Sequence, residues 1–528
     1  MPSPTWSTRR ELAVSTTAGI VAVALVSIAT LGLGAFGLRV SRTTSDFYVA
    51  SRAVGPVVNA SAIGGEYLSA ASFLGVAGLV LARGADMLWY PVGWTAGYLV
   101  LLVLVAAPLR RSGAYTLPDF AHLRVESLDA RRVSSLLVGL IGVLYLVPQF
   151  QGAGLTLRTL TGAPTWVGAL VVALVVLVNV LSGGMRSITL VQAFQYWLKL
   201  VALLVPALFF LLVWHGGVST PRDRLRVTDW VEPLTGEHAL YLTYSLILAT
   251  FLGTMGLPHV VVRFYTNRDG RAARRTTVAV LGLLSCFYVL PPLYGVIGRL
   301  YAFDLVAAGR TDSVVLELPS RVFGGVAGDL FTALLGAGAF AAFLSTSSGL
   351  VVSVAGVISQ DLLAGRMEGV RAFRLATAVA ALVGLGLTIA SSGLAVAHAV
   401  ELAFAVAAST FCPLLLLGIW WRGLTARGAI AGLVAGGTLS TAAVTLVMFG
   451  VTGGGWLAAV LAQPAACTVP VAFATMIGVS LLTRDRLPVH LARTMVRLHT
   501  PEQLRLDRGP YHPEQATVRR GKRPPDGT

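Results

Sequence analysis

Four consecutive hydroxyl-bearing residues lie inside one long apolar segment of the chain. They are Ser345, Thr346, Ser347 and Ser348, within a run of apolar residues from about 327 to 360. Hydroxyl groups in membrane helices often hydrogen-bond to their own backbone, which is the structural interpretation of this cluster. The chemical interpretation is a sodium site, because hard cations prefer oxygen ligands and hydroxyls together with free carbonyls would supply them.

Two other apolar segments combine glycine with polar residues. One is 60–69, where Gly64 and Gly65 precede Glu66, and the other is 253–259, with the sequence Gly-Thr-Met-Gly-Leu-Pro-His. A broken helix frees carbonyl groups for a cation and amide groups for an anion. Glycine can also simply allow close helix packing. The two segments occupy matching positions among the apolar runs, and one of them carries the carboxylate of Glu66. Both observations favour the functional interpretation.

Ionisable residues inside apolar segments are further candidates for function. His398 and Glu401 are three residues apart, so both face one side of a helix. With Glu66 they are interpreted as a gate or proton relay, and the alternative is a buried structural role. Lys199 is expected to extend toward a membrane interface. Arg263 lies at the end of its segment, where membrane topology explains a positive charge.

The composition predicts an all-α polytopic membrane protein rather than an enzyme. Of 528 residues, 55% are hydrophobic and only 12% are charged, about half the usual charged share of about 25%. The mean hydropathy is +0.76. The net charge of +16 comes almost entirely from arginines in loops and in the C-terminal region. This pattern indicates topology and contact with the lipid bilayer, and no nucleic-acid partner is expected.

Thirteen apolar runs are long enough to cross a membrane. They fall at about 13–38, 56–81, 85–108, 133–157, 163–184, 187–213, 239–263, 276–302, 327–360, 372–391, 394–420, 426–449 and 454–482. The two glycine-containing segments lie in the second and seventh runs, five helices apart. This spacing predicts two inverted repeats of five helices, at about 56–213 and 239–420. Residues 1–486 would form the transmembrane domain, and 487–528 a disordered basic tail.

The arginine distribution predicts the orientation of the chain in a bacterial-type plasma membrane. Alternate loops are rich in arginine, and the positive-inside rule places those loops in the cytoplasm. With thirteen spans, the N-terminus lies outside and the C-terminus inside. No Gly-rich phosphate loop of the GxxxxGK[ST] type occurs in the sequence, so ATP-driven transport has no support.

The chain resembles the sodium/solute symporter family and, within it, the bacterial cation/acetate symporters of short-chain monocarboxylates. The resemblance is carried by the segments 45–52, 65–75, 183–186, 256–266 and 344–350. The Gly-Leu-Pro-His and Arg-Phe-Tyr-Thr sequences within 256–266 are the most specific for the acetate branch. The resemblance implies a leucine-transporter-like core of five plus five helices and cation-coupled uptake by alternating access.

The resemblance also implies a set of ligands for Na⁺. Carbonyl groups of Ala60 and Ile63 would join the carbonyl group of Ala342 and the hydroxyl groups of Ser345 and Thr346. Some relatives carry an aspartate of a second sodium site at the position of Gln192. A neutral amide is a poorer cation ligand, so one sodium site is expected.

The substrate site is predicted between the second and seventh spans. The predicted residues are Gly64, Gly65, Glu66, Tyr67, Ser69, Thr250, Gly253 and Thr254. Further candidates for lining the cavity are Trp89, Tyr90, Trp94, Gln149 and Gln151. Ala62 and Gly253 stand where sugar- and amino-acid-transporting relatives carry polar or aromatic residues, which favours a small anion over a sugar.

The predicted function is uptake of acetate or a related monocarboxylate, with Na⁺ as the coupling ion and no cofactor. Proton coupling, with pyruvate or propionate as the solute, is the alternative within the family. A sensor that uses the transporter fold and an anion channel are the alternatives from other classes.

Overall fold

The structure of the protein is a computed structural model. The structure describes residues 6–38, 54–215, 228–234, 236–363, 367, 369–390, 396–448, 450, 454–502 and 504. The sequence motif at 45–52 lies outside these residues, as do residues 505–528 of the predicted tail. Residues 183–186 are helical, but their side chains are outside the description.

The described chain is a bundle of long helices, and no strand occurs within the described ranges. The first four spans are Trp6–Leu38; Pro56–Tyr67 with Ala71–Gly75 and Val76–Arg83; Trp89–Val100 with Leu101–Val105 and Ala106–Ser112; and Leu128–Thr161. The fifth and sixth, Thr165–Ser182 and Ser187–Trp214, lie within one helical stretch. The seventh to ninth are Ala239–Gly256 with Pro258–Val262; Gly270–Tyr288 with Leu290–Tyr301; and Gly325–Val357 with Ile358–Leu362. The last four are Gly369–Ala390, Val396–Trp420, Ala426–Met448 and Ala465–Leu482.

Twelve continuous helical segments of the described residues are long and apolar enough to cross a membrane. One of them, Ala71–Ser112, has 42 residues, and a single helix of that length would extend about 63 Å, twice the bilayer core of about 30 Å. Gly84 divides it, because its φ of 73° ends the helix Val76–Arg83. The segment therefore holds the second half of the second span and the whole third span, which accounts for the predicted thirteen.

Both predicted helix interruptions exist, and they lie within the predicted segments 60–69 and 253–259. In the second span the helix ends at Tyr67, and Leu68 has a non-helical ψ of 85°. The break therefore lies within the predicted segment, after Gly64 and Gly65, which are themselves helical. In the seventh span Leu257 is extended, with ψ of 116°, because the residue before a proline disfavours the helical conformation.

The ninth span occupies the centre of the bundle. In its most apolar window 94% of the residues are buried, compared with 28% in the first span. The ninth span packs against the first and fourth spans, the stretch that holds the fifth and sixth, and the first half of the second. It therefore brings its hydroxyl-bearing residues to the point where the second span is interrupted.

Short helices connect the spans outside the apolar core. Leu117–Val125 follows the third span and begins with a capping box formed by Thr116 and Asp119. Arg124 of this helix donates to the carbonyl groups of Gly418 and Trp421 at 2.6 and 2.7 Å. Burial lowers the pKa of Arg124 to about 10, which leaves it charged at neutral pH. The predicted run at 454–482 is two helices, Gly455–Ala462 and the thirteenth span Ala465–Leu482.

A short helix follows the thirteenth span. Leu491–His499 is a helix whose Met495 and Leu498 are 5% and 0% exposed. The prediction of disorder from residue 487 onward was therefore wrong for this segment. Its alternation of apolar and basic residues gives an apolar face that packs against the end of the third span and the helix Leu117–Val125.

Candidate functional site

The two hydroxyl groups predicted to bind a cation reach from the ninth span to the interrupted second span. Ser345 Oγ lies 2.6 Å from the carbonyl oxygen of Gly65 and 3.0 Å from that of Ala342. Thr346 Oγ1 donates to the carbonyl oxygen of Glu66 at 2.6 Å. All five residues are buried. The structure thus brings the hydroxyl pair of the ninth span to carbonyl groups just before the helix break.

Ala60 and Ile63 lie earlier in the same half-helix, where they are 0% and 1% exposed. The structure places the hydroxyl contacts at Gly65 and Glu66 rather than at these two residues. The reason is that the helix continues to Tyr67, so the carbonyl groups left without a helical partner lie further along the chain. A ligand role for Ala60 and Ile63 stays a prediction.

Lys199 of the sixth span lies where the oxygen atoms of the second and ninth spans converge. Its ammonium contacts the carbonyl oxygen of Gly65 and lies 2.8 Å from that of Leu68 and 2.9 Å from Ser345 Oγ. The residue is 0% exposed. The expectation that Lys199 extends to a membrane interface was wrong, because the helix break supplies acceptors inside the protein.

Glu66 and Arg263 form a buried ion pair between the two interrupted spans. Arg263 Nε lies 2.6 Å from Glu66 Oε2, and the two side chains are 0% and 2% exposed. Arg263 also donates to Thr189 Oγ1 at 2.8 Å. The expectation that Arg263 serves topology and loop contacts was wrong, since its guanidinium points into the bundle and is held by the carboxylate. Glu66 Oε1 has no hydrogen-bond partner among the described residues.

Gln192 links this ion pair to the ninth span. Its side-chain oxygen accepts from Arg263, and its Nε2 donates to the carbonyl oxygen of Ser345 at 2.7 Å. The predicted neutral amide therefore serves as a hydrogen-bond bridge. The expectation of a single sodium site stays a prediction.

Gly64 and Gly65 are required for helix packing in this structure. A Cβ atom on Gly65 would lie 2.1 Å from the carbonyl oxygen of Gln192, and one on Gly64 would lie 2.9 Å from the ring of Tyr196. Both contacts bring the second span against the sixth. The predicted substrate role of these glycines is thus accompanied by a packing role that explains their small size.

Tyr67, the last helical residue before the break, joins the second span to the seventh. Its hydroxyl hydrogen-bonds to Thr254 Oγ1 at 2.8 Å and lies 3.3 Å from the carbonyl oxygen of Trp94. Thr250 Oγ1 donates to the carbonyl oxygen of Leu246 in its own helix, at 2.8 Å. A Cβ atom on Gly253 would lie 2.5 Å from the carbonyl oxygen of Phe404. These predicted residues therefore pack the seventh span against the third and eleventh.

An aromatic cluster surrounds Tyr67 next to the helix break. The ring of Tyr98 contacts it edge-on at a centroid distance of 4.8 Å, and Trp94 lies 5.7 Å from Phe404. Trp94 and Tyr98 are 1% and 0% exposed. Neither Trp94 Nε1 nor Tyr98 Oη has a hydrogen-bond partner within the described chain. Buried donors normally have an acceptor, so these two groups are notable within the described chain.

The chain resumes its helical course with the help of the fourth span. Ser69 lies in the break and is 1% exposed. The backbone amide of Ala70 donates to Gln149 Oε1 at 3.0 Å. Gln149, which the sequence indicates as a cavity-lining residue, therefore satisfies an amide group at the start of the second half-helix.

The three residues predicted as a gate or proton relay belong to two separate groups. Glu401 accepts a hydrogen bond from Tyr90 Oη, and His398 Nδ1 lies 3.4 Å from Glu401 Oε2. Glu401 is 1% exposed. Glu66 lies with Arg263 instead, so the structure does not unite it with His398 and Glu401. The Tyr90–Glu401 contact connects the third and eleventh spans.

Sequence reasoning missed two features of the site. It named neither Tyr98 nor the contacts of Lys199 with the helix break. One signal for Lys199 was available, since it follows Gln192 by seven residues and therefore lies on the same face of the sixth span. Tyr98 has no comparable signal, because tyrosines near membrane interfaces are common.

Comparisons with known proteins bear on the family and the fold. A profile of the sodium:solute symporter family matches residues 47–436. Over 435 residues the chain is 32% identical to the uncharacterized symporter YwcA of Bacillus subtilis strain 168, and the match covers 80% of this chain and 84% of that protein.

Three solved transporters have a similar fold. A Na⁺-coupled sialic acid symporter in a substrate-bound outward-open state gives a TM-score of 0.66 at 15% identity, covering 87% of this chain and 98% of its own. Mhp1, a nucleobase-cation-symport-1 transporter in a closed conformation, gives a TM-score of 0.54 at 14% identity, and the match covers 85% of this chain and 98% of Mhp1. MhsT in complex with L-phenylalanine gives a TM-score of 0.53 at 16% identity, and the match covers 81% of this chain and 98% of MhsT. All three have the leucine-transporter fold, which is thereby shown for this chain.

Proposed function

The chain belongs to the sodium:solute symporter family, and on this premise we propose that its solute is acetate or a related short-chain monocarboxylate. As a secondary symporter it moves a solute together with a cation across the membrane. In the proposal the solute crosses unchanged, and the protein carries out no covalent chemistry. We place it in a bacterial-type plasma membrane, with its N-terminus outside and its C-terminus in the cytoplasm.

The observation that carries the proposal is the surplus of positive charge at the helix break. Glu66 is the negative side chain there, whereas Arg263 and Lys199 are two positive ones. All three residues are buried, and an unbalanced charge inside a membrane protein is costly. A solute with a single negative charge would balance the set. A neutral sugar would leave the surplus in place.

The adjacent aromatic cluster supports a small carboxylate solute. Trp94 Nε1 and Tyr98 Oη supply donors without partners in the described structure, close to Tyr67 and the break. The nearby buried residues Gly253 and Phe404 carry no polar side chain, and neither does Ala62 of the second span. They offer few polar groups for the many hydroxyls of a sugar. We therefore place the solute between the break at Leu68 and the aromatic cluster.

Two cations are candidates for the coupling ion. Na⁺ is the first candidate, because the hydroxyl groups of Ser345 and Thr346 and the nearby carbonyl oxygens are suitable ligands. The proton is the second candidate, because the ammonium of Lys199 takes up two of these oxygen atoms, Gly65 O and Ser345 Oγ, together with the carbonyl oxygen of Leu68. In either case alternate opening to the two sides would release solute and cation inward.

The proposal has a consequence for the energetics of uptake. One monovalent cation moving with one monoanion transfers no net charge, so the membrane potential would not drive transport. Each tenfold cation gradient would contribute about 1.4 kcal/mol. A second cation would add about 2.3 kcal/mol per 100 mV. Electroneutral uptake is therefore expected, and a solute-induced current in proteoliposomes would contradict a one-to-one stoichiometry.

The test is uptake of labelled acetate into proteoliposomes under an inward Na⁺ gradient or an inward proton gradient. The wild type is compared with Thr346→Ala and with Thr438→Ala, an exposed threonine whose hydroxyl bonds back to Val434 in its own helix. Accumulation above equilibrium supports a symporter and excludes a channel. Accumulation driven by Na⁺ and lost only in Thr346→Ala identifies Na⁺, and accumulation driven by the pH gradient identifies the proton. If the wild type accumulates none of acetate, pyruvate, propionate and glycolate, the proposal of a short-chain monocarboxylate solute is rejected.

A further inference from the structure

We propose that the ammonium of Lys199 takes the place of a sodium ion in the site between the second and ninth spans. Lys199 would then decide the cation specificity of this site, which binds no Na⁺ while the lysine is in position. The inference deepens the proposed function, because of its two candidate coupling ions it selects the proton over Na⁺. It rests on the proposed function only for the assignment of this site to coupling. The contacts of Lys199 themselves are independent of the solute.

The donors and acceptors at Lys199 match in number. A lysine ammonium carries three N–H donors and no acceptor. The structure gives it three oxygen acceptors, which are the carbonyl groups of Gly65 and Leu68 and the hydroxyl of Ser345. The ammonium is thus fully satisfied by the same kinds of oxygen that would ligate a sodium ion.

The acceptors come from the two spans between which the sequence places the cation. Gly65 and Leu68 lie on either side of the end of the helix Pro56–Tyr67, where carbonyl groups lose their helical partners. Ser345 belongs to the ninth span and also donates to Gly65 at 2.6 Å. A cation among these oxygens would tie the second span to the ninth, and Lys199 makes this connection from the sixth.

The sixth span is held in the right register for this contact. The close approach of Gly65 to the backbone of Gln192 leaves no room for a side chain between the two helices. Gln192 and Lys199 are seven residues apart and both reach Ser345, through its carbonyl oxygen and its hydroxyl respectively. Lys199 is therefore positioned by packing on both sides, and its head group has no exposed surface.

The charges around Lys199 do not compensate a second cation at this position. The second span contributes the carboxylate of Glu66, which is already paired with Arg263 of the seventh span. The ninth span contributes uncharged hydroxyl groups, and the sixth contributes the amide of Gln192. A sodium ion among the oxygens that bind Lys199 would meet the ammonium at short distance without a further carboxylate, so repulsion would oppose it.

The test measures Na⁺ binding directly on the purified full-length protein without solute. We compare wild type, Lys199→Met and Lys199→Ala by saturable binding of ²²Na⁺ and by the thermal unfolding midpoint in NaCl against choline chloride. The wild type is expected to show no saturable binding and equal midpoints in the two salts. Both neutral variants are expected to bind ²²Na⁺ and to gain a Na⁺-specific rise in midpoint of about 2 °C or more. Adding Thr346→Ala should remove both gains.

Two further variants control for a nonspecific effect of removing a lysine and for a failure to fold. Lys522→Met neutralises the only other lysine of the chain and should behave as the wild type does. If Lys199→Met and Lys199→Ala fail to fold, Lys199→Gln retains two N–H donors without the charge, and the same gain in Na⁺ binding is expected for it.

Two results would overturn the inference. One is saturable ²²Na⁺ binding by the wild type that Thr346→Ala abolishes. The other is an absence of binding in the wild type and in every folded neutral variant, because the vacated oxygens would then form no sodium site. Neither measurement needs a transported solute, so a failure to transport carboxylates would reject the proposed function and leave this test intact.

Discussion

Arg263 Nε and Glu66 Oε2 lie 2.6 Å apart and join the two interrupted spans inside the bundle. Both side chains are buried, and the guanidinium is also held by Thr189 and Gln192 of the sixth span. The pair therefore connects corresponding elements of the two predicted repeats. Because it is enclosed, loss of one partner leaves a charge that no solvent can stabilise.

The ion pair predicts strong coupling between its two members. Arg263→Gln or Glu66→Gln alone should lower the free energy of unfolding by about 3–5 kcal/mol, because each leaves an unpaired buried charge. The double substitution removes both charges and should cost clearly less than the sum of the single changes. Denaturant unfolding of the purified protein in detergent measures all three.

An exposed ion pair serves as the control for this cycle. Arg132 and Asp129 are 2.9 Å apart, and their side chains are 61% and 73% exposed. Arg132→Gln should change the free energy of unfolding by less than about 1 kcal/mol. Additive losses in the Arg263 and Glu66 variants would contradict the coupling.

The unpartnered donors near the break predict a specific role for Trp94. Trp94→Phe retains an aromatic ring but removes the indole N–H, so the solute carboxylate would lose one hydrogen bond. A hydrogen bond to a charged group contributes about 1.5–3 kcal/mol, so KM for acetate should rise by about tenfold or more. Initial uptake rates in proteoliposomes over a range of acetate concentrations measure this change.

Trp89→Phe is the matched control, because Trp89 precedes Trp94 in the same helix and is 39% exposed. Its KM should equal that of the wild type. Tyr98→Phe tests the second donor of the cluster and should raise KM in the same direction. An unchanged KM in both Trp94→Phe and Tyr98→Phe would exclude this cluster from the solute site.

The packing of the second span predicts that Gly65 tolerates no side chain. In Gly65→Ala the new Cβ atom would lie 2.1 Å from the carbonyl oxygen of Gln192, which is part of a helix backbone. The two spans must separate, and overpacking of this kind costs about 1–3 kcal/mol or more. We expect a lower thermal unfolding midpoint together with a loss of uptake.

Gly139→Ala provides the comparison, because a Cβ atom there meets no neighbour within 4 Å. Alanine has the higher helix propensity, so this variant should be as stable as the wild type or slightly more stable. Equal stability of the Gly65 and Gly139 variants would show that the second and sixth spans do not pack as closely as described.

The sequence was sufficient to predict the fold and the contact between the interrupted second span and the hydroxyl groups of the ninth. Long apolar runs determine the spans, and Leu257 before Pro258 forms the interruption of the seventh span because of local sterics. The break of the second span lies at Leu68 rather than at the glycines. Its position depends on tertiary contacts, since Gly65 packs against Gln192 and stays helical.

The roles of the charged residues could not be predicted from their positions alone. Arg263 has the sequence context of a topology signal, yet its side chain points into the bundle toward Glu66. Lys199 has the context of a snorkelling lysine, yet carbonyl groups from another span receive it. In both cases the partner lies more than a hundred residues away, so no local pattern reveals the direction of the side chain.

The C-terminal helix Leu491–His499 predicts a difference between two truncations. The segment that follows it places Glu502 Oε1 2.8 Å from the backbone amide of Gly270, at the start of the eighth span, and Oε2 3.4 Å from Arg111 Nε. Truncation after residue 504 keeps these contacts, so uptake should match that of the wild type. This result would also support a transporter over a sensor that depends on the basic tail.

Truncation after residue 486 removes the helix and exposes the surface covered by Met495 and Leu498, which are 5% and 0% exposed. Burial of two such side chains contributes about 3–6 kcal/mol, so the free energy of unfolding should fall by that order. Glu502→Ala in the full chain should show a smaller loss, because it removes only the polar contacts to Gly270 and Arg111. Wild-type stability and uptake after truncation at 486 would mean that the segment 487–504 does not stabilise the third and eighth spans.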